Sequence, residues 1–161
     1  MRHTSLSPFT CRAAAISAVM LLLALAGAQA QERYRFHGLE LGKTYTRDQV
    51  MKAIGQKPLS EEGYGWNDDQ TVTFQGLTAI FRSGEFSYYR VTDRRWKVFD
   101  EITRGGVRVG DDIAEIFSLK EAYPQRDPLG FYNLFLKDDG IICRVYAENG
   151  RITQIDVSLS Y

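Results

Sequence analysis

Histidine and cysteine are almost missing from this chain, with two of each in 161 residues. His3 and Cys11 fall in the first thirty residues, so only His37 and Cys143 stand beyond them. One cysteine makes no intramolecular disulfide and no C-x-x-C centre. One histidine and one cysteine do not fill a tetrahedral zinc shell. A Ser/His/Asp or Cys/His relay would have to use His37, and no spacing in the chain favours it. His37 reads instead as a surface or strand-edge residue. Cys143 lies inside the apolar run "IICRV" and reads as a buried, inert thiol. The acidic pairs Asp68-Asp69, Asp111-Asp112 and Asp138-Asp139 lack the alternating oxygen ligands of a calcium loop and suit turns and caps. "GLELG" and "RGGVRVG" lack the glycine spacing of a phosphate loop. The expectation is a protein with no catalytic residues, no metal and no cofactor.

A dominant charge is also missing. Two of the twenty Lys+Arg, and none of the twenty Asp+Glu, lie in residues 1–30, which leaves a net charge of −2 beyond them. That is too close to neutral to point to nucleic acid or an anionic membrane as partner. Long apolar runs are scarce as well. The stretch Ala13 to Ala26 is about 14 residues, short of the roughly 20 that span a bilayer. With Arg2, His3 and Arg12 ahead of it and Ala28-Gln29-Ala30 behind, it reads as a cleaved export signal rather than an uncleaved anchor. Since no cysteine stands directly after the run, a lipid tether is not expected. The expected product is periplasmic or secreted, with no stable membrane insertion after cleavage.

What the chain does have is an echo. Gly38-Leu39-Glu40-Leu41-Gly42 and Gly106-Val107-Arg108-Val109-Gly110 stand 68 positions apart. A helix start follows each, Thr46 with Gln49 and Asp112 with Glu115, both in capping-box spacing. Apolar residues then recur at helical spacing, Val50, Met51 and Ile54, then Ile113, Ile116, Phe117 and Leu119. Gly55 with Pro58 ends the first helix and Pro124 ends the second. Strands are expected at Val72–Phe74, Leu77–Phe81, Phe86–Thr92 and Trp96–Ile102, then at Phe131–Leu136, Ile141–Ala147 and Ile152–Leu159. Ser83-Gly84, Asp93-Arg94-Arg95, Asp139-Gly140 and Asn149-Gly150 supply turns. Matching Arg90-Val91 to Arg144-Val145 implies that the second copy is about fourteen residues shorter between helix and hairpin. The fold class that follows is α+β, a tandem repeat of a short helix plus an antiparallel β-meander, with helices on one face of a curved sheet. The segments are 1–30 signal, 31–104 first repeat and 105–161 second repeat, forming one unit. In the last strands Ile141, Cys143, Val145 alternate with Ile142, Arg144, Tyr146, and Ile155, Val157, Leu159 with Asp156, Ser158. One face is therefore core and the other is mixed polar and aromatic.

"LGKTYTRDQVMKAIGQKP", followed by Tyr64-Gly65-Trp66, resembles the motif of the SmpA/OmlA small outer-membrane lipoprotein domain. Two such units in tandem resemble β-lactamase-inhibitor-like secreted proteins. The resemblance covers residues 38–66 well and 106–124 loosely. It implies a curved antiparallel sheet with a concave, aromatic-rich binding face and helices behind.

Aromatic residues are in surplus, nineteen beyond residue 30. Phe74, Phe81, Phe99, Phe117 and Phe135 have the neighbours of core residues. Tyr64, Trp66, Tyr88, Trp96, Tyr132 and Tyr146 stand beside glycine, asparagine or basic residues or on the polar-alternating face of a strand, and Arg94 and Arg95 precede Trp96 in "TDRRWKVF". Amphipathic rings of this kind suit recognition surfaces. These eight residues are the candidate binding face of an exported, non-enzymatic protein-binding or adaptor domain whose partner is another exported or envelope protein. A cell-envelope assembly or structural component is the alternative, and an exported hydrolase without a recognisable motif is a third.

Overall fold

The computed structural model describes residues 34–99, 106–119, 122–136 and 140–160. The signal expected at 1–30 lies outside them, as do Asp138-Asp139 and the end of the strand expected at Trp96–Ile102. Among the described residues the chain is mostly β. A two-stranded ribbon, β1 (Arg35–Phe36) with β2 (Leu39–Glu40), precedes an eight-residue helix, α1 (Arg47–Ile54). There follow β3 (Ser60–Gly63), β4 (Asp69–Phe74), β5 (Leu77–Arg82) and β6 (Glu85–Val91). A 3-10 helix (Ile113–Ser118) leads to β7 (Ala122–Arg126), β8 (Phe131–Leu136), β9 (Ile141–Glu148) and β10 (Arg151–Leu159). Strands β3 to β10 form one antiparallel eight-stranded sheet in the order β3-β4-β5-β6-β10-β9-β8-β7. Two four-stranded meanders thus meet where β6 pairs with β10.

Local chemistry explains the elements. Thr46 caps α1: its hydroxyl accepts the Gln49 N–H at 3.3 Å while its own N–H donates to Gln49 Oε1 at 2.8 Å. Gly55, at φ +69°, closes the helix with its N–H on the Met51 carbonyl. Eight residues are too few for a helix to stand alone. Buried Val50 and Ile54 hold it to the core, and Arg47 reaches Glu61 of β3 at 2.5 and 2.9 Å. The hairpin turns Ser83-Gly84 and Asn149-Gly150 have positive φ at both residues, as the primed turns require.

The two glycine-framed leads make parallel contacts. Gly42 N–H donates to the Phe86 carbonyl, Phe86 N–H to Lys43, and Tyr45 N–H to Gly84. In the second half Gly110 N–H donates to Ile152, Ile152 N–H to Asp111, and Ile113 N–H to Gly150. Each lead therefore docks on the hairpin that ends its own meander.

Other expectations need correction. The second helix is a single 3-10 segment, and Asp112 caps it by accepting the Ala114 N–H rather than through a box with Glu115. Pro124 stops no helix, because it lies in β7. Trp96–Ile102 yields, as far as Phe99, only an isolated Val98–Val107 bridge, while β3 and β7 were not expected. That miscount misplaces the match of Arg90 with Arg144, and with it the inferred loss of fourteen residues. Arg90 lies on central β6, whereas Arg144 lies one strand further out on β9.

One face of the sheet is core. Val72, Ala79, Tyr89, Val157, Cys143 and Leu134 are cross-strand neighbours in a single buried row. Val50, Ile54 and Ile116 of the two helices join the same cluster. Much of the aromatic surplus is spent here. Trp66 packs on Phe81, Phe81 on Phe86, Phe86 on Tyr89 and Tyr89 on Phe36, with centroids 4.2 to 5.7 Å apart. Phe36 then meets Trp96 at 6.1 Å, and Tyr34 and Tyr89 share a hydroxyl hydrogen bond.

Candidate functional site

The opposite face carries two long rows. Strand register places Ser60, Thr73, Thr78, Arg90, Asp156, Arg144, Asn133 and Gln125 side by side across all eight strands. The neighbouring row is Glu62, Thr71, Ile80, Tyr88, Ser158, Ile142, Phe135 and Tyr123. Beyond the polar row, on β8 and β9, Phe131 pairs with Tyr146 at 5.4 Å between centroids. At the β7–β9 end a polar strip is therefore flanked by aromatic and aliphatic side chains on both sides. Tyr123 is 62% exposed and Phe135 43%. Exposed apolar surface gathered in one place on a sheet face marks a contact site more often than scattered residues do.

The middle of the polar row is an ionic cluster. Arg90 grips Asp156 with Nε on Oδ1 and Nη2 on Oδ2, both at 2.9 Å. Gln154 Nε2 adds a third bond to Oδ1 at 2.9 Å, and Asp156 is only 7% exposed. Hydrogen bonding to Asp156 lifts the Arg90 guanidinium above its ordinary pKa. Tyr88, beside them, has its phenol pushed up to about 12, first by burial and then by the Asp156 charge. Arg144 is the cross-strand neighbour of Asp156, yet its guanidinium lies over the Phe131 ring at 5.6 Å. It makes no ion pair among the described residues.

Of the eight sequence-derived candidates, the structure places two on this face, Tyr88 and Tyr146. Tyr132 points to the core side, paired with Val145 and edge-on to Phe117. Tyr64 is exposed in the β3–β4 connection. Trp66 is half-buried against Phe81 and donates its indole N–H to the Tyr45 carbonyl at 2.6 Å. Trp96 is 3% exposed and donates its indole N–H to the Gln75 carbonyl at 2.8 Å, so it anchors a turn instead of presenting a ring. Arg95 binds Asp93 and Gln75 beside it, and Arg94 is exposed on the same turn. Phe117 and Phe135, expected in the core, are exposed. Arg90, Tyr123, Phe131, Phe135, Ile142 and Arg144 are face residues that the candidate set omits. The alternation of "IICRVYAE" carries the signal for Ile142 and Arg144. Strand register sets Leu134 of the adjacent apolar pair Leu134-Phe135 against Cys143 and so turns Phe135 to this face.

The face offers donors and ring surface more than reactive groups. Asp156 is held by three donors. Cys143 points to the core, where burial pushes its thiol well above the usual range. His37 packs edge-on against Phe36 and Trp96, away from this face. Among the described residues, no group of three or more His, Cys, Asp or Glu is placed to hold a metal ion. Among them, too, no helix is long and apolar enough to cross a membrane.

No protein-family model and no curated protein matches the chain. Among solved structures, the fold is similar to part of an extracellular protein containing a SCP domain from Bacillus anthracis str. Ames, at 7% identity and a TM-score of 0.47. The likeness covers 74% of this chain and 44% of that one, so the chain spans less than half the length of that structure.

Proposed function

We propose that this chain is an exported, non-enzymatic binding module that takes a protein partner on the open face of its sheet. The observation that carries the reading is the β7–β9 end of that face, where Tyr123, Phe135 and Ile142 lie beside a polar strip with Phe131 and Tyr146 on its other side. Large rigid rings beside hydrogen-bonding groups give contact area at low entropic cost. The first thirty residues support export.

The fold reading that accompanies it is a duplicated unit of the SmpA/OmlA kind, two copies of which build the sheet as in β-lactamase-inhibitor-like proteins. The parallel docking of Gly42 on Phe86 and of Gly110 on Ile152 supports duplication.

The test is affinity capture from envelope and culture-supernatant extracts, with the protein run beside a Tyr123→Ser/Phe135→Ser double variant. A partner retained by the parent and lost by the folded variant supports the reading. A partner held equally by both places the contact elsewhere. Fractionation of expressing cells tests export, and retention of the unprocessed chain in the cytoplasm would refute it.

A further inference from the structure

We infer that the β7–β9 end of the open face binds an extended peptide through an acidic side chain, with Arg144 as the anion-holding group. This rests on the binding-module reading and names the chemistry of its partner.

Charge is the first argument. Arg90, Asp156 and Arg144 stand in one row and sum to one positive charge. Both Asp156 oxygens are taken by Arg90, and one also by Gln154. Asp127, at the rim, accepts the Leu129 N–H at 2.9 Å and Asn133 Nδ2 at 3.3 Å. Glu148 lies four residues along β9 from Arg144, roughly 13 Å away at strand rise, and beyond a Debye length of about 8 Å at physiological salt. Among the described residues, the cation on this part of the face that has no ion pair is therefore Arg144, which is exposed and laid against Phe131. A single guanidinium, with no second free cation beside it among the described residues, matches a singly charged carboxylate, which it can grip with two parallel N–H bonds.

Spacing is the second argument. Ile142, Arg144 and Tyr146 follow one another on the same face of β9, about 6.6 Å apart. Side chains on one side of an extended peptide recur at the same interval. A peptide lying along the strands with its acid over Arg144 places its i−2 and i+2 side chains over the two apolar flanks. One flank is Ile142, Phe135 and Tyr123, and the other is Phe131 and Tyr146. Addition at the sheet edge is less suited, because Pro124 removes a backbone donor from β7.

The probe is a random heptapeptide phage library, selected on the immobilised protein and on blank support. Selected peptides are then synthesised and titrated by fluorescence anisotropy against the parent, Arg144→Gln and Tyr123→Ser/Phe135→Ser. The expected consensus is one Asp or Glu with apolar residues two positions before and after it. Binding should fall about tenfold or more in Arg144→Gln, the scale of a lost charge-assisted pair. Thermal unfolding of each variant confirms the fold. A consensus without an acid, equal binding by Arg144→Gln, or no enrichment over blank support overturns the inference. Acid-free peptides that still lose binding in Tyr123→Ser/Phe135→Ser would overturn it while keeping the face as a binding surface. Peptides that bind all three proteins alike would sink both.

Discussion

Replacing Arg90 with Met should loosen the seam between the two meanders. Strand β6 meets β10 through four residue pairs, against eight between β10 and β9. The Arg90–Asp156 bond spans that short seam. Met keeps most of the aliphatic stem and removes both guanidinium donors, leaving the nearly buried carboxylate with the Gln154 amide and with Arg144 of β9, neither of which spans the β6–β10 seam. Two charge-assisted bonds would together be worth about 3–6 kcal/mol if fully buried. The Arg90 side chain is 45% exposed, so water replaces part of what is lost, and the expected cost is about 2 kcal/mol. Asp156→Asn keeps the shape and returns Arg90 to solvent, at a cost of about 1 kcal/mol. A double-mutant cycle should then show a coupling of about 1 kcal/mol or more. Urea unfolding at pH 7 measures all three, with the slope unchanged if only the native contact is lost. If Arg90→Met stays within about 0.5 kcal/mol of the parent, or the two single costs simply add, the pair does not hold the seam.

Tyr88 gives a pH signature of defined sign. Its folded-state phenol sits near 12 against the ordinary 10, so the neutral form is favoured on folding; that contribution is complete below pH 10 and disappears as pH rises toward 12. Half-exposure holds the effect to about 1 kcal/mol, and Tyr88→Phe should lack that portion of the alkaline loss seen by urea titration at pH 9 and 11.5. Gly76, at φ +72°, admits no side chain, since a Cβ there would fall 2.1 Å from the Asp93 Cβ. Gly76→Ala should cost more than about 1 kcal/mol by urea midpoint, and a neutral result would mean that the 75–76 turn is mobile. Cys143 should resist a maleimide at pH 8 until denaturant is added, because burial disfavours its thiolate. Prompt labelling of the native protein would contradict its place in the core row.

The sequence signals that held are those whose chemistry is local. The Thr46/Gln49 capping box, the Ser83-Gly84 and Asn149-Gly150 turns and the alternation along β9 and β10 depend on residues within a few positions of one another. What was illegible depended on distant partners. Strands β3, "SEEG", and β7, "AYPQR", carry charge, glycine and proline because they are the sheet's edges, and such compositions hide a strand. Trp96 follows two arginines and looks like a presented ring. Its environment is decided by the Gln75 carbonyl and Phe36, which lie 21 and 60 positions away. The helix after Asp112 has helical spacing, yet only three residues separate its last residue from β7, and a short 3-10 turn suits that brief connection.

The same dependence on partners governs the face itself. Asp156 stands between two arginines in one row and can satisfy one of them well. Because Arg90 takes both oxygens, Arg144 is left over Phe131 and open to an outside carboxylate. Removing Arg90 should therefore change a site that Arg90 need not touch. In Arg90→Met the freed carboxylate lies next to Arg144 across the strands, and the guanidinium should turn from Phe131 to Asp156. The row then has one cation and one anion, and its net positive charge is gone. An acidic peptide that binds the parent should bind Arg90→Met about as weakly as Arg144→Gln, although Arg144 is still present. Asp156→Asn should do the opposite, leaving both guanidinium groups uncompensated and tightening the same peptide. Anisotropy titrations of one peptide against these variants decide it. If Arg90→Met binds like the parent and Asp156→Asn gains nothing, Arg144 is set by its own strand and not by competition for Asp156.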